Sequence, residues 1–305
     1  MTVTIESPTL RAVSAKATLD ELQPATATPK PLTPNYAVPA GEFIKEWMDD
    51  EGINAAELAR RLDVSRKHVS ELLRGKASLS PEISLRLERV TRIPSEYWDR
   101  IDSFYLREKT RLATISALAE HYRSLARFPL AYLRAEGFIS APEDDHGTVV
   151  LDVLEFFGVG DVVAIEHSWA DSSVAYRKEA ATHPRWEELA TWLTAAERLT
   201  DLSALPDFDR SGLVALQPKL NELAAVGDID AFLEAISSLN NAGVAFCFVA
   251  EIPTLPIHGA TRWVRNHPLI QASPRRESNE HLWSVLLQEV DLVLEHQTTS
   301  LHSIP

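Results

Sequence analysis

The stretch NAAELARRLDVSRKHVSELLRG, residues 54–75, leaves a folding chain little choice. Leu58, Leu62, Val69 and Leu72 recur at helical spacing, and Val64 interrupts the period between two such runs. Asn54 and Glu57 stand as N-cap and N3 of a first helix, and Ser65 as the N-cap of a second. Ala59 is small where two short helices cross most closely. Asp63 falls at the turn, where φ > 0 is needed; glycine is usual there, and aspartate adopts that region at some cost.

Two short amphipathic helices joined by so tight a turn form a helix-turn-helix. In such a unit the N-terminal polar face of the second helix enters the major groove. Arg66 and Lys67 are placed to donate to guanine O6/N7, Ser70 to serve either base edge, and Glu71 to accept from cytosine N4 or to orient Arg74. Arg74, Lys76 and the amide end of the first helix at Ala55 suit phosphate, and Ser65 completes the candidate DNA-binding set. Charge agrees. Residues 54–76 hold six Lys/Arg against three Asp/Glu, a local +3, while the whole chain is −14 and the remainder therefore −17. Such a balance excludes a nonspecific coat on nucleic acid and permits one local DNA-binding surface.

At 305 residues the chain exceeds what one hydrophobic core serves. Residues 1–37, rich in Pro, Thr, Ala and Ser, read as a disordered arm. Residues 38–108 read as the DNA-binding domain, with a helix at FIKEWM, another from Ser80-Pro81, and one opened by Pro94 through Tyr105. Residues 109–240 read as a helical middle region carrying LATISALAEHYRSLA, VVLDVLEFFGV, RWEELATWLTAAERL and DIDAFLEAISSL. From 241 to 305, GVAFCFVAEI, IHGATRWV and HPLIQAS read as strands, the last two joined at Arg265-Asn266, before a final helix from Ser278 to about Leu294. No run approaches the ~20 apolar residues of a membrane span, and the N-terminus lacks a secretory apolar core, so a cytoplasmic protein without membrane contact is expected. The lone Cys247 excludes a disulfide framework and, set in an apolar strand, reads as packing.

The stretch from Ala40 to Trp98 resembles the Xre-type helix-turn-helix of HigA-type antitoxins, which share an "ELA…L.VSR..VS.LL.GK" core. Ala40 departs from the usual proline before Gly41-Glu42, and Asp63 from the usual turn glycine. LEFFGV, VAYRKEA, WLTAAER, NNAGVAFCFVAEIP, IHGATRWV and LIQASPRRESNEHLWSVLLQEVDLVLEH resemble, in order, the ImmA/IrrE-like metallopeptidase domain of long members of this group. In active members of that family a His-Glu-x-x-His helix holds zinc through its two imidazoles, and the Glu activates the bound water. The matching stretch here is Gln288-Glu289-Val290-Asp291-Leu292: Glu289 remains as a remnant of the general base, but both ligand positions are lost. His258, His267, His281 and His296 lack His-x-x-x-His spacing, so relocated zinc is disfavoured and no cofactor is implied.

The expectation is thus a mainly α protein: an N-terminal lambda-repressor-like helix-turn-helix bundle, a helical middle region, and a small α+β, zincin-like sheet plus helix. The resemblance implies a homodimeric repressor of operator DNA with an antitoxin role, a HigB-like toxin as possible partner, and a catalytically inert pseudo-peptidase region. Two alternatives stand beside it: a zinc metallopeptidase targeted by the helix-turn-helix, and a regulator that senses a ligand in the former catalytic cleft.

Overall fold

The computed structural model describes residues 34–170, 185–255, 257–273 and 279–295, with the strand residues 6–7, 10–12, 22–24 and 175–178. The chain divides into two compact units, Pro31–Glu120 and a second made of His121–Pro305 with Met1–Lys30.

In the first unit, α1 (Ala40–Asp50), α2 (Ala55–Leu62), α3 (Arg66–Leu73), α4 (Pro81–Thr91) and α5 (Ser95–Leu118) follow closely. The caps fall where the sequence put them. Asn54 Oδ1 accepts from Glu57 N at 3.0 Å, Ser65 Oγ from His68 N at 3.1 Å, and Ser80 Oγ from Ile83 N at 3.3 Å. Ile44, Leu58, Ala59, Leu62, Val69, Leu72, Leu87 and Trp98 form one core between these helices. Gly41 lies where α1 meets α3: a Cβ there would stand 2.4 Å from Leu72 O and 2.6 Å from Leu73 Cα. The helix opened by Pro94 does not stop near residue 108. It runs unbroken to Leu118 and takes in the first half of LATISALAEHYRSLA, whose second half, Ala119–Leu125, is a 3-10 stretch.

In the second unit, α6 (Leu130–Ala135), α7 (His146–Phe157), α8 (Val162–Ala170), α9 (Trp186–Leu199), α10 (Arg210–Val226), α11 (Ile229–Asn241) and α12 (Asn279–Glu295) accompany short strands. Three of these, β1 (Glu6–Ser7), β2 (Leu10–Ala12) and β3 (Leu22–Pro24), pair antiparallel. The rest of residues 1–33, and with it most of the arm expected to be disordered, lies outside the described residues.

The main sheet has the order β4 (Ala175–Lys178), β6 (Ile257–Val264), β7 (His267–Ala272), β5 (Ala245–Phe248). β4 adds one short strand to what the sequence presents as a mainly helical middle region. β5 and β7 run parallel, the other pairs antiparallel, and the β6–β7 hairpin turns at Arg265 and Asn266, both at positive φ. Alternation splits the sheet into two covered faces. On one, Arg262 Nη2 donates to Leu193 O at 2.5 Å and Gln271 Nε2 to Trp192 O at 3.1 Å, both on α9. On the other, Phe246, Phe248, Ile270 and Ala272 pack with Phe232, Ile236, Leu239, Trp283 and Leu286 of α11 and α12. The helical middle and the C-terminal strands thus share a single core.

Candidate nucleic-acid interface

α3 is oriented by what it buries. Val69, Leu72 and Leu73 are buried, and at 100° per residue this turns Lys67, Ser70, Glu71 and Arg74 toward solvent as one stripe. Lys67 is 85% exposed and its Nζ stands 3.8 Å from Glu71 Oε1, while Arg74 donates to the Ser70 hydroxyl. Glu71 thus stands within reach of Lys67, and Arg74 is held by Ser70. The Ser65 hydroxyl is committed to the cap, so what Ser65 presents outward is its position at the tip of α3.

Arg66 leaves the stripe. It lies at the flank of α3 facing α2, where Arg66, Arg60, Ala56, Ala59, Asp63, Val64 and Ser65 line a shallow cleft. Arg60 of α2 lines the same cleft and pairs with Glu57. Arg61 Nε also reaches Glu57 Oε1, at 2.9 Å, and this hydrogen bond leads the causes that hold the Glu57 carboxyl below its usual range. Ala55 opens α2 and is half-buried; Lys76 is exposed just past α3, its amide bonded to Glu71 O at 2.9 Å.

The frame behind α3 comes from α4 and α5. Tyr105 Oη donates to Gly75 O at 3.2 Å, and Asp102 Oδ2 accepts from Leu79 N at 3.0 Å, so α5 anchors both ends of the loop that follows α3. Asp102 is buried, and burial pushes its carboxyl above the usual range despite the Leu79 amide. On the turn itself, Asp63 adopts φ 53°, ψ 52°, the left-handed geometry the sequence called for, which costs a non-glycine residue about 1 kcal/mol. Arg86 of α4 reaches this turn: its Nη1 donates to Leu62 O at 2.8 Å and Asp63 O at 2.9 Å. No spacing rule connects residues 23 and 24 positions apart, so Arg86, like Asp102 and Tyr105, was invisible in the sequence.

Two short helices crossing at a tight turn, the second capped at its tip with a cationic, solvent-facing stripe, on a core shared with three further helices, make a helix-turn-helix DNA-binding domain. Residues 44–98 match the Helix-turn-helix family and are of the Xre type. The chain is 29% identical over 79 residues to the uncharacterized HTH-type transcriptional regulator YddM of Escherichia coli (strain K12), spanning 26% of this chain and 84% of that protein. It is 35% identical over 66 residues to virulence-associated protein A' of Dichelobacter nodosus, 21% of this chain and 57% of the relative. Among solved structures, the Pseudomonas aeruginosa antitoxin HigA with the higBA promoter is 26% identical, over 30% of this chain and 92% of that one, with a TM-score of 0.23.

The second site raised by the sequence lies on α12. Glu289 is fully buried, and its Oε2 accepts from Thr261 Oγ1 of β6 at 2.7 Å. Gly259 makes room for it: a Cβ there would stand 2.8 Å from Glu289 Oε1. A carboxylate packed this way ties helix to sheet and presents no face to a substrate. Gln288 is half-buried and lines a cleft with Trp283, Leu287 and the Ala224–Gly227 end of α10; Leu292 is half-buried. Among the described residues no group of three or more His, Cys, Asp or Glu converges as a metal needs. His267 Nδ1 lies 3.1 Å from Gly243 O, and the side chains of His258, His281 and His296 lie outside the described residues. Cys247 is fully buried in β5 and burial pushes its thiol up to about 12.

Proposed function

We propose that this chain is a sequence-specific transcriptional repressor that binds operator DNA as a homodimer in the cytoplasm. The observation that carries the reading is the Lys67–Ser70–Glu71–Arg74 stripe of α3, exposed at Lys67 and Arg74 and half-buried at Ser70 and Glu71, with Arg66 and Arg60 at its flank, on a chain that is otherwise strongly acidic. One eight-residue helix touches few base edges, so two copies spaced about 34 Å apart on a palindrome are what such a unit needs for affinity. Arg74, Lys76, Ala55 and the tip at Ser65 serve as backbone contacts, Lys67, Ser70 and Glu71 face the groove, and Arg66 reaches it from the flank beside α2.

The antitoxin role, autoregulation and a HigB-like toxin partner rest on the motif resemblance of Ala40–Trp98. The pseudo-peptidase reading of the C-terminal region, and its zincin-like ancestry, rest on the order of the matching fragments and on Gln288 and Leu292 at the zinc-ligand positions. The buried seat of Glu289 favours an inert domain over a metallopeptidase. One observation favours ligand sensing as a second reading: Gln288 lines an open cleft at the site where the first ligand would stand.

The test is a gel shift on DNA upstream of the chain's own gene. Replacing Arg66 and Lys67 together by alanine removes two donors, each worth about 1–3 kcal/mol if it reads a base, so affinity falls at least about tenfold. If either contacts phosphate instead, the salt slope drops by about 0.9 per contact. Unchanged affinity and slope in the folded variant refute this placement of the reading helix.

A further inference from the structure

We propose that Arg86 is a positioning residue of the DNA-reading unit: it holds the left-handed Asp63 turn from α4 and thereby sets the direction in which α3 presents its stripe. The proposal rests on the assignment of α3 as the groove-reading helix.

The turn has its own backbone closure. Asp63 N returns to Ala59 O and Arg60 O, and Val64 N to Ala59 O at 3.0 Å. The carbonyls of Leu62 and Asp63 are acceptors at the end of a helix, where the ladder supplies no partner. A single guanidinium nitrogen, Arg86 Nη1, serves both, at 2.8 and 2.9 Å. Its Nη2 is fixed in turn on Glu82 Oε1 at 2.7 Å, one turn back along α4, and the Asp63 carboxylate stands 3.8 Å from Nη1. The planar fork joins α2, the turn and α4 in a geometry that a lysine ammonium does not reproduce. Asp63, where glycine is usual, and a clamp on its carbonyl are two halves of one arrangement.

The leverage is large. Asp63 and Val64 alone separate α2 from the Ser65 cap, so a change at the Asp63 dihedrals rotates α3 as a body. α3 has eight residues, a length of roughly 12 Å, and a tilt of roughly 10° moves its far end by about 2 Å. Hydrogen bonds to base edges tolerate about 0.5 Å.

The test uses the full chain and the duplex that the wild-type chain enriches from a random pool, at a temperature where near-UV circular dichroism shows every variant folded. Arg86→Lys keeps the charge and loses the fork, and is expected to bind that duplex about fivefold more weakly with an unchanged salt slope. Arg86→Ala weakens it at least as much, and adding Asp63→Gly restores most of the loss, because glycine holds the left-handed turn unaided. Wild-type affinity in Arg86→Lys overturns the proposal. So does a salt slope reduced by about 0.9 in Arg86→Ala, the mark of a phosphate contact. Failure of Asp63→Gly to restore affinity overturns it as well. A wild-type chain that enriches no duplex overturns the groove-reading assignment itself, and this inference with it.

Discussion

Gly41→Ala sets two effects of opposite sign against each other. Gly41 is the second residue of α1, in ordinary helical conformation, so helix propensity alone favours alanine by about 1 kcal/mol. The structure gives the opposite sign. The new Cβ would stand 2.4 Å from Leu72 O and 2.6 Å from the Leu73 backbone, where contacts normally sit at about 3.5 Å or more. The obstructing atoms are the backbone of α3, not the end of a flexible side chain, so relief requires α1 and α3 to part by about 1 Å over a core that includes Ile44, Leu72 and Leu73. Overpacking against atoms that cannot turn aside costs about 3 kcal/mol, which leaves a net loss of about 2 kcal/mol. Hydrogen exchange on the full chain reads this directly: amides of α1 and α3 that open with the unit are expected to exchange about 30-fold faster. Wild-type or slower exchange in those helices would show that the close approach of α1 and α3 is not as described.

Two further outcomes follow from buried carboxylates. Asp102 has its pKa raised by burial, so the folded state holds its proton more readily than the unfolded chain; its contribution to stability is full below the unfolded value of 3.8 and is lost as pH rises through the folded value. Asp102→Asn keeps an acceptor for Leu79 N, so the variant is expected to be at least as stable at pH 7, and the difference between the two unfolding midpoints should shrink as pH falls toward 4; a gap that widens on acidification refutes the assignment. On α12, the purified chain is expected to contain no stoichiometric zinc and to keep its unfolding midpoint in EDTA, and one zinc per chain by elemental analysis would contradict the inert reading of Gln288-Glu289-Val290-Asp291-Leu292.

What was legible in the sequence was local. Asn54, Ser65 and Ser80 each cap an amide three residues away, Asp63 announces its own dihedrals, and the apolar period of α3 fixes its buried face, so these readings needed no tertiary information. The extension of α5 past residue 108 was also available, since 95–118 contains neither glycine nor proline to end a helix. Other features were not available. Arg66 and Lys67 are adjacent in sequence but differ by 100° around the helix, and only the position of α2 shows that Arg66 belongs to the cleft with Arg60. β4 has four residues and finds its partner about eighty positions later, a pairing no local pattern encodes. Resemblance singles out Glu289, yet its packing beneath β6 depends on Gly259 and Thr261, which no local pattern connects to it.

The strand order has a consequence for biosynthesis. Ala175 pairs with Thr261, and β5 must wait for β7 to emerge before it has a strand neighbour, so the main sheet closes only after the residues through Ala272 have left the ribosome. The helices between Ala40 and Leu118 meet partners close in sequence and can assemble long before. A nascent polypeptide therefore acquires its reading head while the later half is still being made, and translation order places DNA recognition ahead of whatever the rest of the molecule adds.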